Sequence, residues 1–468
     1  MDTHQNILNK LNGLASLHSR PHTRDGAKLA GLKSLLVRLG NPHLGKKVVH
    51  IAGTNGKTTT AAMIVSLLLR AGHQTGLYTS PHLRDIRERI QINGRMVSKE
   101  VFDQVAIRVL DEAGPSEQSG CSYFDLLTAI GLAAFDQEGV EWMVLEAGLG
   151  GVADATNAIP KDVCVLTAIG MDHMDVLGKD ILSIARQKAG IVLPGIPVVV
   201  AHQKPAVAYW LAGYLAELPA PVFPVDIALK PGKVPSTGRG GSLVPNPALE
   251  RVSAKWPGWN PVRVDVEGCC LGWSQLECGQ TALKVADVLW GVPSGEPERT
   301  NRVRTVLGTT IQGRMSLYRR VRLRESGWMI PLLVLDGGHN REAVGALNRQ
   351  LNRWGLARYT LLISLLADKM TPHMLTPLTR LMSKAEKVIV VRLNTSRSPD
   401  KESEAAFYGL VEKKIPHPPP LEFAESLSTG LALAGQAPTE SVVVAGSIWL
   451  AGELLSHLED ETLNEGGP

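Results

Sequence analysis

Short apolar runs alternate along the chain with longer stretches whose apolar residues fall at helical spacing. "VVHIA" (48–52) reads as a buried strand, and "TTTAAMIVSLLLRAG" (58–72) as a helix ending at Gly72 with Arg70 in its last turn. "QTGLYTS" follows as a strand. In "RIQINGRMVS" an Asn-Gly pair separates two short runs, which predicts a hairpin. The helical pattern "FDLLTAIGLAAFDQEG" leads into strands "EWMVLEAG" and "VCVLTAIG". A short helix, "ILSIARQKAG", and a strand, "IPVVVAH", come next. This β-α-β order predicts a mostly parallel sheet covered by helices.

Between about 225 and 265 the pattern breaks. "KPGKVPSTGRGGSLVPNP" is rich in Gly, Pro and Ser and reads as an exposed loop or small insertion. "VRVDVEG" suggests a strand near 262–268, and "QTALKVADVLWG" a helix. The polar stretch "PSGEPERTNR" (293–302) is a candidate interdomain linker. A second α/β unit follows, with strands "PLLVLDG", "YTLLISLL", "KVIVVRL" and "SVVVAGS" and helical patterns such as "REAVGALNRQLNRWG" between them. No short internal repeat is present.

Composition narrows the class. At 468 residues the chain expects two or three domains. With 44% hydrophobic and 20% charged residues it is an ordinary globular protein. A net charge of +4, with no Lys/Arg stripe, favours an anionic small molecule and is too weak to argue for nucleic acid. "MDTHQNILNK" lacks the apolar core of a signal peptide, and no apolar run approaches the ~20 residues of a membrane span. Five cysteines (121, 164, 269, 270, 278) without C-x-x-C spacing read as reduced thiols. A cytoplasmic protein acting apart from membranes is expected.

Candidate chemistry begins at "HIAGTNGKTTTA" (50–61). A phosphate loop needs glycines where the chain turns, a lysine for the outer phosphates, and a hydroxyl at the helix start for Mg²⁺. Gly53, Gly56, Lys57 and Thr58 provide them between a strand and a helix, although Ile51 replaces the usual first glycine. The alternative is a strand-to-helix turn that contains lysine by chance. Ser80, Glu146 and His173 each follow a strand end, so an open parallel sheet would place them on the edge that carries this loop. Together they could hold a divalent cation. Singly, each could equally be a cap, a surface charge or a core histidine. The fold expected is α/β: a P-loop domain with a mostly parallel sheet and flanking helices, plus a smaller Rossmann-like domain.

Ten ordered segments show what the chain resembles. They are "GTNGKTT" (53–59), "YTSPHL" (78–83), "SYFDLLTA" (122–129), "LEAGLGGVADATN" (145–157), "IGMDHMDVLG" (169–178), "ARQKAGI" (185–191), "QGR" (312–314), "LDGGHNREA" (335–343), "ADK" (367–369) and "VVVAGSIWLAGE" (442–453). With them the chain resembles the folylpolyglutamate synthase/dihydrofolate synthase family of the Mur ligase superfamily. The resemblance implies an ATP-binding central domain over 1–298 and a C-terminal Mur-ligase domain over 299–468. It also implies a monomer whose substrates are ATP, L-glutamate and a folate or pteroate.

In that family a substrate carboxylate takes the γ-phosphate of ATP, and an amine then displaces phosphate from the acyl phosphate. By resemblance, Gly53, Thr54, Asn55, Gly56, Lys57, Thr58 and Thr59 would hold the nucleotide. Thr58, Ser80, Glu146 and His173 would ligate Mg²⁺ at two sites, and Lys57, His173 and Lys188 would serve catalysis. Lys188 matches a lysine that the family carbamylates with CO₂; spacing alone reads it as a solvated helix lysine. Arg314, Asp336 and His339 match contacts to the nucleotide, which would lie between closing domains. Unaided, Arg314 reads as a surface charge.

The family's "KGS" is "KTT" here, and its "GGRLDATN" is "GGVADATN", with Val152 for arginine. "YFE" becomes "YFD" with Asp125, "PGR" becomes "QGR", and "DGAHNP" becomes "DGGHNR". None of these changes removes a phosphate, metal or carbamate residue. They bear on the identity of the acid. A Mur-type ligase for another acid, a P-loop kinase or ATPase, and a non-enzymatic nucleotide binder stand as alternatives.

Overall fold

The structure is a computed structural model, which describes residues 3–17, 28–114, 120–231, 250–266, 272–395, 397–437 and 439–459. The chain divides into two compact units. The first comprises 1–229, 254–262 and 277–306; the second comprises 230–253, 263–276 and 307–468.

The first unit is built on an eight-stranded sheet, in the order β4-β3-β2-β5-β1-β6-β7-β8. Its strands are β1 (Lys47–Ala52), β2 (Thr75–Tyr78), β3 (Ile90–Ile92), β4 (Arg95–Met96), β5 (Trp142–Glu146), β6 (Val163–Leu166), β7 (Val198–Val200) and β8 (Val222–Pro224). Strands β2, β5, β1, β6, β7 and β8 run parallel, and the near-continuous apolar sequences of β2, β5, β1 and β6 follow from burial on both faces. The β3–β4 hairpin turns where the Asn-Gly pair predicts. Asn93 and Gly94 both adopt positive φ, 51° and 75°, as this tight turn requires. From β1 the chain passes beyond β5 to β2, and it later returns to β6 on the other side of β1. The carboxyl end of β1 is therefore a topological switch point.

Helix Tyr123–Gln137 is apolar on nearly every side and almost wholly buried. It starts with a reciprocal cap. Ser122 Oγ accepts from Asp125 N at 3.2 Å, and Asp125 Oδ2 accepts from Ser122 N at 2.7 Å. Asp125, one departure from the family pattern, is thus engaged in starting a helix. Phe102, Tyr78 and Phe135 anchor the core on this side. The helices Thr3–Leu17 and Lys28–Arg38, for which the sequence pattern gave no reading, bury Ile7, Leu11, Leu32 and Leu35 in that core.

The linker expected at 293–302 is not one. Residues Glu296–Leu307 form a helix, most of which belongs to the first unit. Arg299 and Arg302 look like surface charges in sequence, yet both are buried. Their guanidinium groups lie over the rings of Trp259 and Trp290, at 4.4 and 5.6 Å, and Arg302 pairs with Asp287 at 3.3 Å. Long cationic side chains bury their stems while keeping the charge satisfied, so polarity misled the reading. The expected insertion contains β9 (Ala228–Pro231), β10 (Glu250–Lys255) and β11 (Val262–Val266), in the order β11-β10-β9. Its centre, 232–249, and Cys269 and Cys270 lie outside the described residues.

The second unit has a six-stranded sheet, in the order β12-β13-β17-β14-β15-β16. Here β12 is Ser316–Arg322, β13 Met329–Leu335, β14 Tyr359–Ile363, β15 Ala385–Val391, β16 Leu421–Ala424 and β17 Ser441–Ala445. All pairs are parallel except β12 with β13. The last strand, β17, inserts between β13 and β14, which creates a second switch point. Strand β12 alternates charged and apolar residues at the sheet edge, and the sequence reading missed it for that reason.

Ser122→Ala should lower unfolding stability by about 1 kcal/mol, the usual value of an N-cap. Urea unfolding checks this, and no loss would show that the cap is redundant.

Candidate active site

Between β1 and the helix Lys57–Arg70 the chain makes a four-residue turn, Gly53–Gly56. Two glycines are required by geometry. A Cβ on Gly53 would lie 1.8 Å from Thr167 Oγ1, and Gly56 has φ of 84° with Cys278 Sγ 2.8 Å from its missing Cβ. Ile51, at the first-glycine position, is fully buried in β1 opposite Glu146 and Val165. The turn is short because the strand runs one residue further, to Ala52. Thr54 N and Asn55 N donate to Ala168 O at 2.9 and 3.1 Å, and Thr54 Oγ1 donates to Gly170 O at 3.1 Å. The turn is thereby latched to the segment after β6. The helix starts on Gly56 without a side-chain cap and without an acidic residue in its first turn. Its first N–H groups and its dipole form a seat for an anion. Thr59 is buried behind that seat.

Glu146, at the end of β5, reaches the start of this helix. Thr58 Oγ1 lies 2.9 Å from Glu146 Oε2 and 3.1 Å from Oε1, and Lys57 Nζ lies 3.9 Å from Oε1. Lys57 also donates to Thr54 O at 3.4 Å. Glu146 is 1% exposed. A buried carboxylate beside a hydroxyl at a phosphate seat is a hard oxygen donor set, and it fits a divalent cation such as Mg²⁺.

Lys188 is not a solvated lysine. It is 4% exposed, and its Nζ donates to Gly53 O at 2.7 Å. Burial, and then the nearby Lys57 charge, push its pKa down to about 7, against an opposing pull from Asp172 and Asp154. A substantial neutral fraction of amine follows near neutral pH.

His173 caps the short helix Met174–Leu177 with φ of 48°, and its Nε2 lies 4.0 Å from Asp172 Oδ1. Ser80 stands two residues past β2, half-buried. Both emerge on the carboxyl edge, as the sequence implies. Among the described residues no three His, Cys, Asp or Glu side chains come together as a metal cluster. Lys57, Thr58, Glu146 and Lys188 form the assembled part of the expected set.

In the second unit, Asp336 follows β13. It is buried and accepts from Met315 N and Gly338 N, both at 2.8 Å. Burial raises its pKa, and the charge of Arg314 opposes this. His339 Nδ1 lies 3.1 Å from Gly337 O. A Cβ on Gly446, after β17, would lie 2.5 Å from Ser364 O, so backbones converge closely at this switch point.

Sequence reasoning missed three contributors. Thr167 fits the space that Gly53 leaves open. Cys278 packs its thiol on the phosphate turn, with Sγ 3.6 Å from Gly56 O. Asp154, inside a matched segment but assigned no role, accepts from Leu149 N at 2.9 Å and Thr156 N at 3.0 Å. Of these only Asp154 carried a signal, as an Asp two residues before a Thr in a turn.

The sequence pattern of the Mur ligase middle domain matches residues 51–212. That match spans the phosphate turn, Glu146, His173 and Lys188. The chain is 28% identical over 450 residues to a folylpolyglutamate synthase of Lacticaseibacillus casei, covering 95% of this chain and 97% of that protein. A Mycobacterium tuberculosis folylpolyglutamate synthase, solved with ADP and AMPPCP, superposes with a TM-score of 0.79 at 26% identity, covering 97% of this chain and 98% of that one. A bifunctional folylpolyglutamate synthase/dihydrofolate synthase from Yersinia pestis, solved with AMPPNP and Mn, gives 0.72 at 25% identity, covering 96% and 97%. Over nearly its whole length the chain is therefore similar to folylpolyglutamate synthases and dihydrofolate synthases in sequence and in fold.

Gly53→Ala should cost about 1–3 kcal/mol of strain and weaken nucleotide binding at least about tenfold, since the added methyl overlaps Thr167. Calorimetric titration with ADP checks this, and unchanged affinity would refute the packing argument. A second expectation concerns Lys188. Its pKa is depressed from 10.5 to about 7 in the fold, so the unfolded chain binds the extra proton between those values. Stability from this group is lowest below pH 7 and recovers as pH rises toward 10.5. In Lys188→Met, urea midpoints should lose that rise across the alkaline range; an unaltered profile would contradict it.

Proposed function

We propose that the protein joins L-glutamate to the carboxylate of a folate or pteroate, driven by ATP through an acyl phosphate. The observation that carries this is the uncapped start of the helix Lys57–Arg70, where Thr58 meets the buried carboxylate of Glu146 and the preceding turn holds the buried amine of Lys188 at Gly53 O. The similarity over 450 residues to a folylpolyglutamate synthase supports the choice of acid and amine.

A carboxylate resists attack by an amine because it is negative and resonance-stabilised. Phosphorylation supplies a leaving group, but it requires two anions to meet. The loop amides and Lys57 provide positive potential for the phosphates. Thr58 and Glu146, joined by Ser80 and His173, would hold a divalent cation, which when bound spreads the charge of the transferring phosphoryl group. Lys57 and His173 act at the reacting groups. Gly53, Thr54, Asn55, Gly56 and Thr59 shape the seat, and Arg314, Asp336 and His339 are the nucleotide-contacting residues of the second unit. The protein works as a cytoplasmic monomer.

Lys188 adds CO₂ to its neutral amine, giving a carbamate and releasing one proton. That step needs an unprotonated amine, and the burial of Lys188 and the charge of Lys57 favour one. The carbamate turns a cation into an anion that can ligate metal.

Purified protein, ATP, Mg²⁺ and glutamate should release ADP only when dihydropteroate or tetrahydrofolate is added, with product mass raised by one glutamate. ADP release independent of the folate would point to an ATPase, and release only with another acid to a different ligase. Lys188→Ala should lose ligation by at least about 10²-fold, with partial recovery by added short carboxylates; full activity in that variant would remove the carbamate.

A further inference from the structure

One buried polar line has no part in the chemistry above. It starts at Lys161, whose Nζ donates to Asn157 Oδ1 at 2.5 Å and faces His50 Nδ1 at 3.5 Å. His50 sits within β1, with Nε2 2.8 Å from Thr156 Oγ1. Thr156 in turn donates to Asp154 Oδ1 at 2.5 Å. A hydroxyl has a single proton, and Thr156 gives its own to a carboxylate. Its oxygen must therefore accept from His50, which puts the imidazole proton on Nε2 and leaves Nδ1 to accept from Lys161. The line has one direction: ammonium, neutral imidazole, hydroxyl, carboxylate. All four groups are buried.

The far end bears on the candidate site. The second oxygen of Asp154 accepts from Leu149 N at 2.9 Å, at the head of the glycine-rich turn that follows Glu146. That turn rests on the backbone at Lys188. Val152 N donates to Gln187 O at 3.1 Å, and a Cβ on Gly151 would lie 2.6 Å from Gln187 O and 3.0 Å from Lys188 O. Apolar packing could join β1 to this turn without burying a lysine, which is costly to desolvate. A directional line adds what apolar packing lacks, a fixed orientation for Asp154.

We propose that Lys161, His50 and Thr156 are positioning residues for the ligase reaction, forming an internal hydrogen-bonded line that fixes Asp154 and, through the turn 148–152, the backbone that carries Lys188. The kinetic part rests on the ligase reading; the structural part does not.

The test uses Thr156→Val, Thr156→Ser, Lys161→Met and the double variant of Val and Met. Amide hydrogen exchange needs no substrate. In Thr156→Val and Lys161→Met, exchange at 148–152 and 187–190 should rise at least about tenfold, while amides of β14 stay protected. Unchanged exchange in those segments overturns the proposal whatever the protein catalyses. In folate-dependent ADP release, both variants should lose kcat about tenfold or more, with ADP affinity held within about threefold. Thr156→Ser, which restores the hydroxyl, should recover both readouts. Independent roles for Lys161 and Thr156 would give additive losses, whereas in one line the double variant should lose no more than the worse single variant. Unchanged kcat, loss of ADP affinity in parallel with kcat, a Ser variant as impaired as Val, or additive losses would each overturn the proposal.

Discussion

The bare N-terminus of the helix Lys57–Arg70 is the constraint on which the rest of the first unit depends. A helix end leaves several N–H groups without partners, and burying them uncapped is unfavourable unless something satisfies them. Here Gly56 supplies no side chain, and the first turn carries no acid. The carboxyl ends of β5 and β6 are drawn around this unsatisfied end. Glu146 meets Thr58 from one side, and Ala168 with Gly170 latches Thr54 from the other. Such a site is complementary to negative charge before any ligand arrives.

Buried cations then decide what chemistry that anion can undergo. Lys57 stays beside Glu146, whereas Lys188 is driven toward neutrality by burial and by Lys57 itself. The same physical effect that makes a cation useful to phosphate makes its neighbour available to an electrophile. Lys161, which lies further from the seat and is also buried, has its pKa lowered by desolvation.

Much of this was legible in sequence, because strand ends and glycines leave strong local signals. The order of apolar runs places β1, β2, β5, β6 and β7, and the switch-point rule puts Ser80, Glu146 and His173 on one edge. What escaped depends on side-chain contacts between residues far apart in sequence. Arg299 and Arg302 read as linker charges because nothing local announces Trp259 and Trp290. Lys188 read as solvated because helical spacing does not reveal that its ammonium meets the Gly53 carbonyl. Strand β12 and the first two helices escaped because mixed charges conceal amphipathic faces at short length.

The departures from the family pattern also change meaning once seated in the fold. Asp125 closes a helix cap, so a shorter acid at that position is explained by backbone geometry without invoking substrate. Val152 lies over Gly190, where a Cβ would come within 2.0 Å of its methyl, so this pair packs the glycine-rich turn on the helix of Lys188. Ile51 departs from the general phosphate-loop pattern and not from the family's: it is a buried strand residue, and the turn is shorter for it. Neither Asp125 nor Val152 lies in the anion seat; Thr58 and Thr59, which stand where the family has Gly and Ser, do, and Thr58 there meets Glu146. The seat is thus shaped by backbone at the switch point, and the departure that bears on it directly is the pair of hydroxyls at the helix start.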